Sequence, residues 1–302
     1  MEFKKLFCTV TASVGLTIGV ANAAPLPLDV LDTADVNYTS YLSDCGGGIG
    51  CITDATSLGD GGGPDHFDDA FGISLNGLGY SPTEGTAGPG TSLSLEALSL
   101  AGFEVSVSFQ TTGPVIRQLV TITNTGANSA NASVQWHNNT GNDGAQQVIA
   151  TSDGDLLAEN SDQFVVTADS LTGTNNEVNA WIYQDATSLA PTSVDLVDGA
   201  ADFGFVGEEG FNAVFDLVLA AGEMQSLLFF AIIEGVNDDG IMGAANFSAN
   251  EFVADLSAAT LSQVQNFSFG QVSDVPLPAA AWLFLAGLGA LGAGRKQRRL
   301  QK

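Results

Sequence analysis

Only a few side chains in this sequence are of types that could do chemistry, and their spacing decides how far each can be taken. His66 lies in Asp65-His66-Phe67-Asp68-Asp69, where an imidazole beside carboxylates could ligate a metal or act as a base, or could be incidental in an exposed acidic loop. His137 follows Trp136 and precedes Asn138-Asn139, as at the end of a strand. Acids occur in pairs at Asp68-Asp69, Asp153 with Asp155, Glu208-Glu209 and Asp238-Asp239. A glycosidase needs two facing carboxylates, and spacing along the chain does not single out such a pair. Calcium is the better match to acids in glycine-rich loops, because clustered oxygens wrap a hard cation. Asp60, Asp65, Asp68, Asp69, Asp153 and Asp155 are its candidate ligands, although the Asp-x-[Asp/Asn]-x-[Asp/Asn]-Gly loop is absent. No Gly-x-Ser-x-Gly nucleophile elbow occurs.

Cys45 and Cys51 enclose Gly46-Gly47-Gly48-Ile49-Gly50. In an exported protein such a pair is expected to close a local disulfide around a small loop, the alternative being a metal or redox pair. Export is what the N-terminus predicts. Lys4 and Lys5 form a basic region, Leu6 to Val20 an apolar one, and Ala21-Asn22-Ala23 a small-x-small cleavage site before Ala24. Cys8 lies inside the apolar region without the small residue before it that a lipoprotein signal carries.

Charge sharpens once the two ends are set aside. Of eight lysines and arginines, Lys4, Lys5, Arg295, Lys296, Arg298, Arg299 and Lys302 are terminal, which leaves Arg117 alone. Of 34 acids only Glu2 is lost, so the body carries a net charge of about −32. Such a surface repels nucleic acid and anionic lipid, and it suits an extracellular setting where salt or divalent ions screen it. Arg117 is expected to form an internal ion pair at a strand edge rather than to clamp an external carboxylate.

The elements that must position these residues are strands. Residues 24–90 are rich in glycine turns. From about residue 91 the period becomes two, with Phe103, Val105, Val107 and Phe109 alternating with polar residues. Arg117 to Thr123 is the next strand, Asn124-Thr125-Gly126 a turn, and Ala132, Val134 and Trp136 resume the alternation, which predicts an antiparallel pair. Further strands are predicted at Gln163 to Ala168, Val178 to Tyr183 and Phe211 to Leu219. Ser226 to Ile233 is apolar on both faces, as for a central strand covered on both sides. One short helix is predicted near the end, with Ser257 as its cap and Leu261 and Val264 inside. The expected class is all-β: a large antiparallel β-sandwich, single or double, over residues 91–274, with 24–90 as its loop-rich N-terminal part.

The last segment has three parts. Val275, Pro276, Leu277 and Pro278 form a rigid extended motif, Ala279 to Gly294 is apolar, and Arg295, Lys296, Arg298 and Arg299 form a basic stop. At ~1.5 Å per residue the apolar run covers roughly 24 Å, slightly less than a hydrocarbon core of about 30 Å. The basic stop stays on the cytoplasmic side, so the body lies outside.

Residues 275–299 resemble the PEP-CTERM sorting signal of Gram-negative bacteria, in the variant where another residue, here Leu277, stands at the glutamate position. That resemblance implies recognition by an exosortase, a membrane cysteine protease or transpeptidase, at the inner membrane, and delivery to the envelope or the extracellular polysaccharide matrix. Arg117 to Gly126 resembles the strand and turn of bacterial surface β-sandwich repeats, and Phe103 to Trp181 is similar to other exported bodies; this implies a fold and no activity. The expectation is an exported structural, adhesive or glycan-associated protein. The alternatives are an extracellular carbohydrate-active enzyme and a carbohydrate-binding module that uses exposed aromatics such as Trp136, Trp181 or Tyr183.

Overall fold

The computed structural model describes residues 23–26, 31–38, 41–42, 44–45, 48–57, 65–140, 146–168, 174–197 and 210–269. The expected signal segment and sorting tail lie outside these residues. Among the described residues no helix is long and apolar enough to cross a membrane.

The strands run, in chain order, β1 (Ala24–Pro25), β2 (Val36–Tyr38), β3 (Tyr41–Leu42), β4 (Cys51–Ser57), β5 (Asp65–Ala70), β6 (Gly72–Leu75), β7 (Leu78–Gly79), β8 (Glu84–Ala87), β9 (Ser92–Leu95) and β10 (Leu98–Leu100). Longer ones follow: β11 (Phe103–Thr112), β12 (Val115–Asn124), β13 (Ala130–Asn139), β14 (Gln147–Thr151), β15 (Phe164–Ala168), β16 (Thr174–Ile182), β17 (Ser193–Val197), β18 (Gly210–Leu219) and β19 (Met224–Val236). A helix α1 (Asn237–Ala245), a 3-10 turn (Ala249–Phe252) and a one-turn helix α2 (Ala258–Leu261) complete the described chain.

The fold is an antiparallel β-sandwich. One sheet runs β1-β8-β9-β11-β12-β19-β16-β15-β14, with β10 also on β11; the facing sheet runs β17-β18-β13-β6-β7. A third, small sheet, β2-β4-β3 with β5 on β4, contributes Tyr38, Tyr41, Ile52 and Phe67 to the core between the other two. At the centre of that core Trp136 stacks on Phe229 with ring centroids 4.6 Å apart, and Trp181 stacks on Phe211 at 5.9 Å.

Strand β19 shows why the pattern of apolar residues dictates position. Leu227, Phe229, Ala231 and Ile233 face the inter-sheet core, while Leu228, Phe230 and Ile232 face a second apolar cluster on the outside of the large sheet. A strand with two apolar faces needs cover on both, and β19 has it, between β12 and β16 in the sheet. Its outer cover is α1, the 3-10 turn and the 261–269 segment, which supply Ala244, Val253, Val264 and Phe267.

Two details differ from the sequence reading. Strands β12 and β13 do not pair with each other: β12 lies between β11 and β19, and β13 between β18 and β6. The segment after Asn124 carries the chain from one sheet to the other. Buried Asn124 fixes this crossing, donating to the carbonyls of Asn128 (2.8 Å) and Leu219 (3.0 Å) and accepting from the Gly126 amide (2.9 Å). Helix α1 is the second difference. Its two glycines disfavour helix, yet at Gly240 a β-carbon would lie 2.5 Å from Val178 Cγ1, so only glycine lets the helix lie this close to β16. The predicted cap at Ser257 is present, with its Oγ accepting from the Thr260 amide at 3.0 Å.

Candidate functional site

Polar side chains gather in two places in the described structure. The first is inside the sandwich, around strand β5. His66 and Phe67, on opposite faces of this strand, are both wholly buried. This corrects the reading of His66 as part of an exposed acidic loop. Neither of its ring nitrogens has a hydrogen-bond partner. Burial lowers its pKa to about 4, opposed only in part by the nearby Val178 backbone and the Asp54 carboxylate, so the ring is neutral at physiological pH. His137, on β13, is buried too, with Nε2 3.0 Å from Ser74 Oγ. Burial lowers its pKa to about 3, against a hydrogen bond with Asn212 that raises it.

These polar groups hold the backbone in an unusual shape. Phe71 has φ 64°, a left-handed conformation that costs free energy for a side chain of this size. Asn138 Oδ1 accepts from its amide at 2.9 Å, and Gln118 Nε2 donates to its carbonyl at 2.8 Å. The ring of Phe71 is thereby placed within 6.1 Å, centroid to centroid, of Phe67, Phe109, Trp136 and Trp181. Asn179 Nδ2 similarly donates to the carbonyls of His66 and Thr140. The role of this set is structural: it ties β5 between the sheets.

The second place is a cleft of about 490 Å³ on the outer side of the large sheet. Its floor is Ala150 of β14, Phe164 of β15 and Ile182 of β16; α1 contributes Ile241, Ala244 and Ala245 to one wall, and the chain from Phe267 to Phe269 closes the other. Polar groups stand among these apolar ones. Gln184, 4% exposed, donates through Nε2 to the carbonyls of Asn160 (3.0 Å) and Asp162 (2.5 Å), which fixes its amide plane. Asp185 accepts from the Thr187 amide (2.8 Å) and Oγ1 (3.1 Å) and from the Ser268 amide. Partial burial raises the pKa of Asp185, but these donors outweigh it, and the carboxyl stays below its ordinary range.

Arg117 fixes the same outer layer. It lies on β12, inside the large sheet rather than at an edge, and its guanidinium meets Asp255 through two parallel contacts of 2.6 and 2.8 Å. Its Nη1 also donates to the Phe252 carbonyl at 2.5 Å. The one cation of the body thus clamps the segment that follows the 3-10 turn onto the sheet.

The remaining sequence candidates fall as follows. A disulfide joins Cys45 and Cys51, with Cα atoms 6.0 Å apart. Asp69 is the acid beside it, its Oδ1 3.3 Å from Cys51 Sγ. Cys45, Cys51 and Asp69 form the one group of three metal-type ligands close together among the described residues, and its two sulfurs are bonded to each other. Asp65 and Asp68 lie on β5, and Asp60 is outside the described residues. Asp153 and Asp155 belong to a different loop, where Asp153 Oδ1 accepts from the Asp155 amide (3.2 Å) and Thr151 Oγ1 (3.1 Å) in a local turn. Trp136, Trp181 and Tyr183 are fully buried and present no surface to a glycan. Val275, Pro276, Leu277, Pro278, Arg295, Lys296, Arg298 and Arg299 lie outside the described residues.

The class defined so far is an acidic antiparallel β-sandwich with a helical outer layer. Its destination comes from the tail. Residues 274–299 match the family "PEP-CTERM protein-sorting motif", so the chain carries the signal of an exported precursor that an exosortase processes. No curated protein matches the chain in sequence. Among solved structures it is similar to a polysaccharide lyase, with TM-score 0.43 and 11% identity over 71% of this chain and 35% of that one. It is also similar to the Slr1438 protein from Synechocystis sp. PCC 6803 (0.40, 13%, 70% and 96%) and to a galactose mutarotase-like protein from Lactobacillus casei (0.39, 9%, 70% and 100%). The chain spans about a third of the lyase's length, and likenesses at these scores carry no argument about activity.

Proposed function

We propose that this protein is a surface or extracellular-matrix component of a Gram-negative bacterium. It crosses the inner membrane, is held by its C-terminal segment, and is released or transferred when an exosortase-like enzyme acts at Val275–Pro278. Its role outside is structural, adhesive or glycan-associated. The observation that carries the reading is the match to the sorting motif at 274–299. A sandwich whose body has a net charge of about −32 fits this setting, since it stays soluble and repels its own copies and anionic lipid.

The test is fractionation of producing cells that express the full chain with an internal epitope, beside a version lacking residues 275–302. The full chain is expected in the envelope and extracellular fractions, and the truncated one in the periplasm or medium without an envelope-bound pool. An unchanged distribution after truncation would overturn the reading.

A further inference from the structure

We infer that the cleft beneath α1 is a binding site for a neutral glycan. The inference rests on the glycan-associated role proposed above and gives that role a place. A volume of about 490 Å³ lies within the ~300–1,000 Å³ range of small-molecule sites. What the cleft takes follows from its walls.

Anions are excluded, because no lysine or arginine lines the cleft and the body is strongly acidic. A hydrocarbon chain fits poorly as well: it would bury Gln163, Gln184, Ser248 and Asn250 against groups that cannot pair with them. A cation would meet a single acid in the lining, Asp185, whose oxygens are already turned to Thr187 and Ser268, whereas the other polar groups of the cleft are amides and hydroxyls that pair with neutral hydroxyls. A neutral sugar matches what remains. Its C–H faces pack on Phe164, Phe247 and Phe269, and its hydroxyls pair with the amides and hydroxyls between them. Gln184 is preorganised for this. Its nitrogen is committed to Asn160 and Asp162, which leaves Oε1 as an acceptor held by a nearly buried side chain.

The cleft's position on the outside of the large sheet, away from the inter-sheet core, leaves the sandwich intact when a ligand enters.

The experiment is an array of neutral, anionic and cationic oligosaccharides probed with the processed protein, followed by calorimetry on the best ligand. Two variants accompany the wild type: Ala245→Trp, which fills the cleft from an exposed helix position, and Asn250→Ala, which removes an exposed polar group from its rim. The inference predicts binding of at least one neutral glycan, weakened at least tenfold by Ala245→Trp and several-fold by Asn250→Ala, with unchanged thermal midpoints. Equal binding by a folded Ala245→Trp variant would overturn the site while leaving the glycan-associated role intact. Binding of charged sugars alone would overturn the ligand class. No binding of any glycan would overturn both the site and the glycan-associated role, without touching export and processing.

Discussion

Replacing Asp255 by alanine removes one half of a clamp that reaches from the large sheet to the outer layer. The Arg117 side chain is 4% exposed and keeps only the Phe252 carbonyl, whereas the Asp255 side chain is 52% exposed. Breaking a fully buried ion pair costs ~3–5 kcal/mol, and a hydrogen bond to a charged group contributes ~1.5–3 kcal/mol. Solvent reaches Asp255 and screens the pair, so the lower end applies, about 2 kcal/mol. For a body of this size that corresponds to a fall in Tm of roughly 4–8 °C. The assay is thermal unfolding of the processed protein at pH 7, followed by tryptophan fluorescence, since Trp136 and Trp181 report on the core. Arg117→Met combined with Asp255→Ala is expected to recover most of the loss, because no unpaired charge is then left buried. The pair itself holds the Asp255 pKa below its ordinary 3.8, through the Arg117 hydrogen bond first, so its contribution persists above that pH and fades as pH drops further. A shift in Tm under ~1 °C for the single variant would refute the reasoning and class the pair with ordinary surface bridges.

Other expectations concern the core and the loop. Both histidines have folded pKa values, about 4 and about 3, below the ordinary 6.5, so the unfolded chain takes up protons first as pH falls. Their contribution is complete above pH 6.5 and is lost below it, at up to ~1.4 kcal/mol per pH unit for each histidine down to about pH 4. Urea titrations between pH 7 and 4.5 should show this slope, reduced by about half in a His66→Phe variant, and a flat profile would contradict the burial of both rings. Cys45→Ser with Cys51→Ser opens a loop with a sequence separation of 6 and should lower stability by about 2 kcal/mol, read from the same titrations. Phe229→Ala removes the ring stacked on Trp136 and should cost ~3–5 kcal/mol, enough to show in the Tm of the processed protein.

Long strands that bury one face, such as β11, are legible from alternation, and β19 is legible because both of its faces are apolar. Alternation from Phe103 to Phe109 carries over directly into β11, whose apolar residues are buried in turn. The two apolar faces of Ser226 to Ile233 alone require a central place for β19. What alternation does not encode is which sheet a strand joins. The Asn124 turn looks like a hairpin, but the contact that sends the chain across lies 95 residues away, at Leu219. The burial of His66 is hidden for a similar reason. Acidic neighbours suggested solvent, and only the packing of β5 between the sheets puts the ring inside. Helix α1 contradicts local propensity and exists because Gly240 fits against Val178. The cleft was not legible at all, since its walls come from segments between residues 150 and 269 that share no pattern.

The measurement that bears most directly on the central claim is intact mass spectrometry of the protein recovered from the membrane and extracellular fractions of producing cells. The account predicts a species that begins near Ala24 and ends close to Pro278, with or without an attached mass. A membrane-held species that still carries Arg295 to Lys302 would contradict it, and the tail would then be a plain anchor.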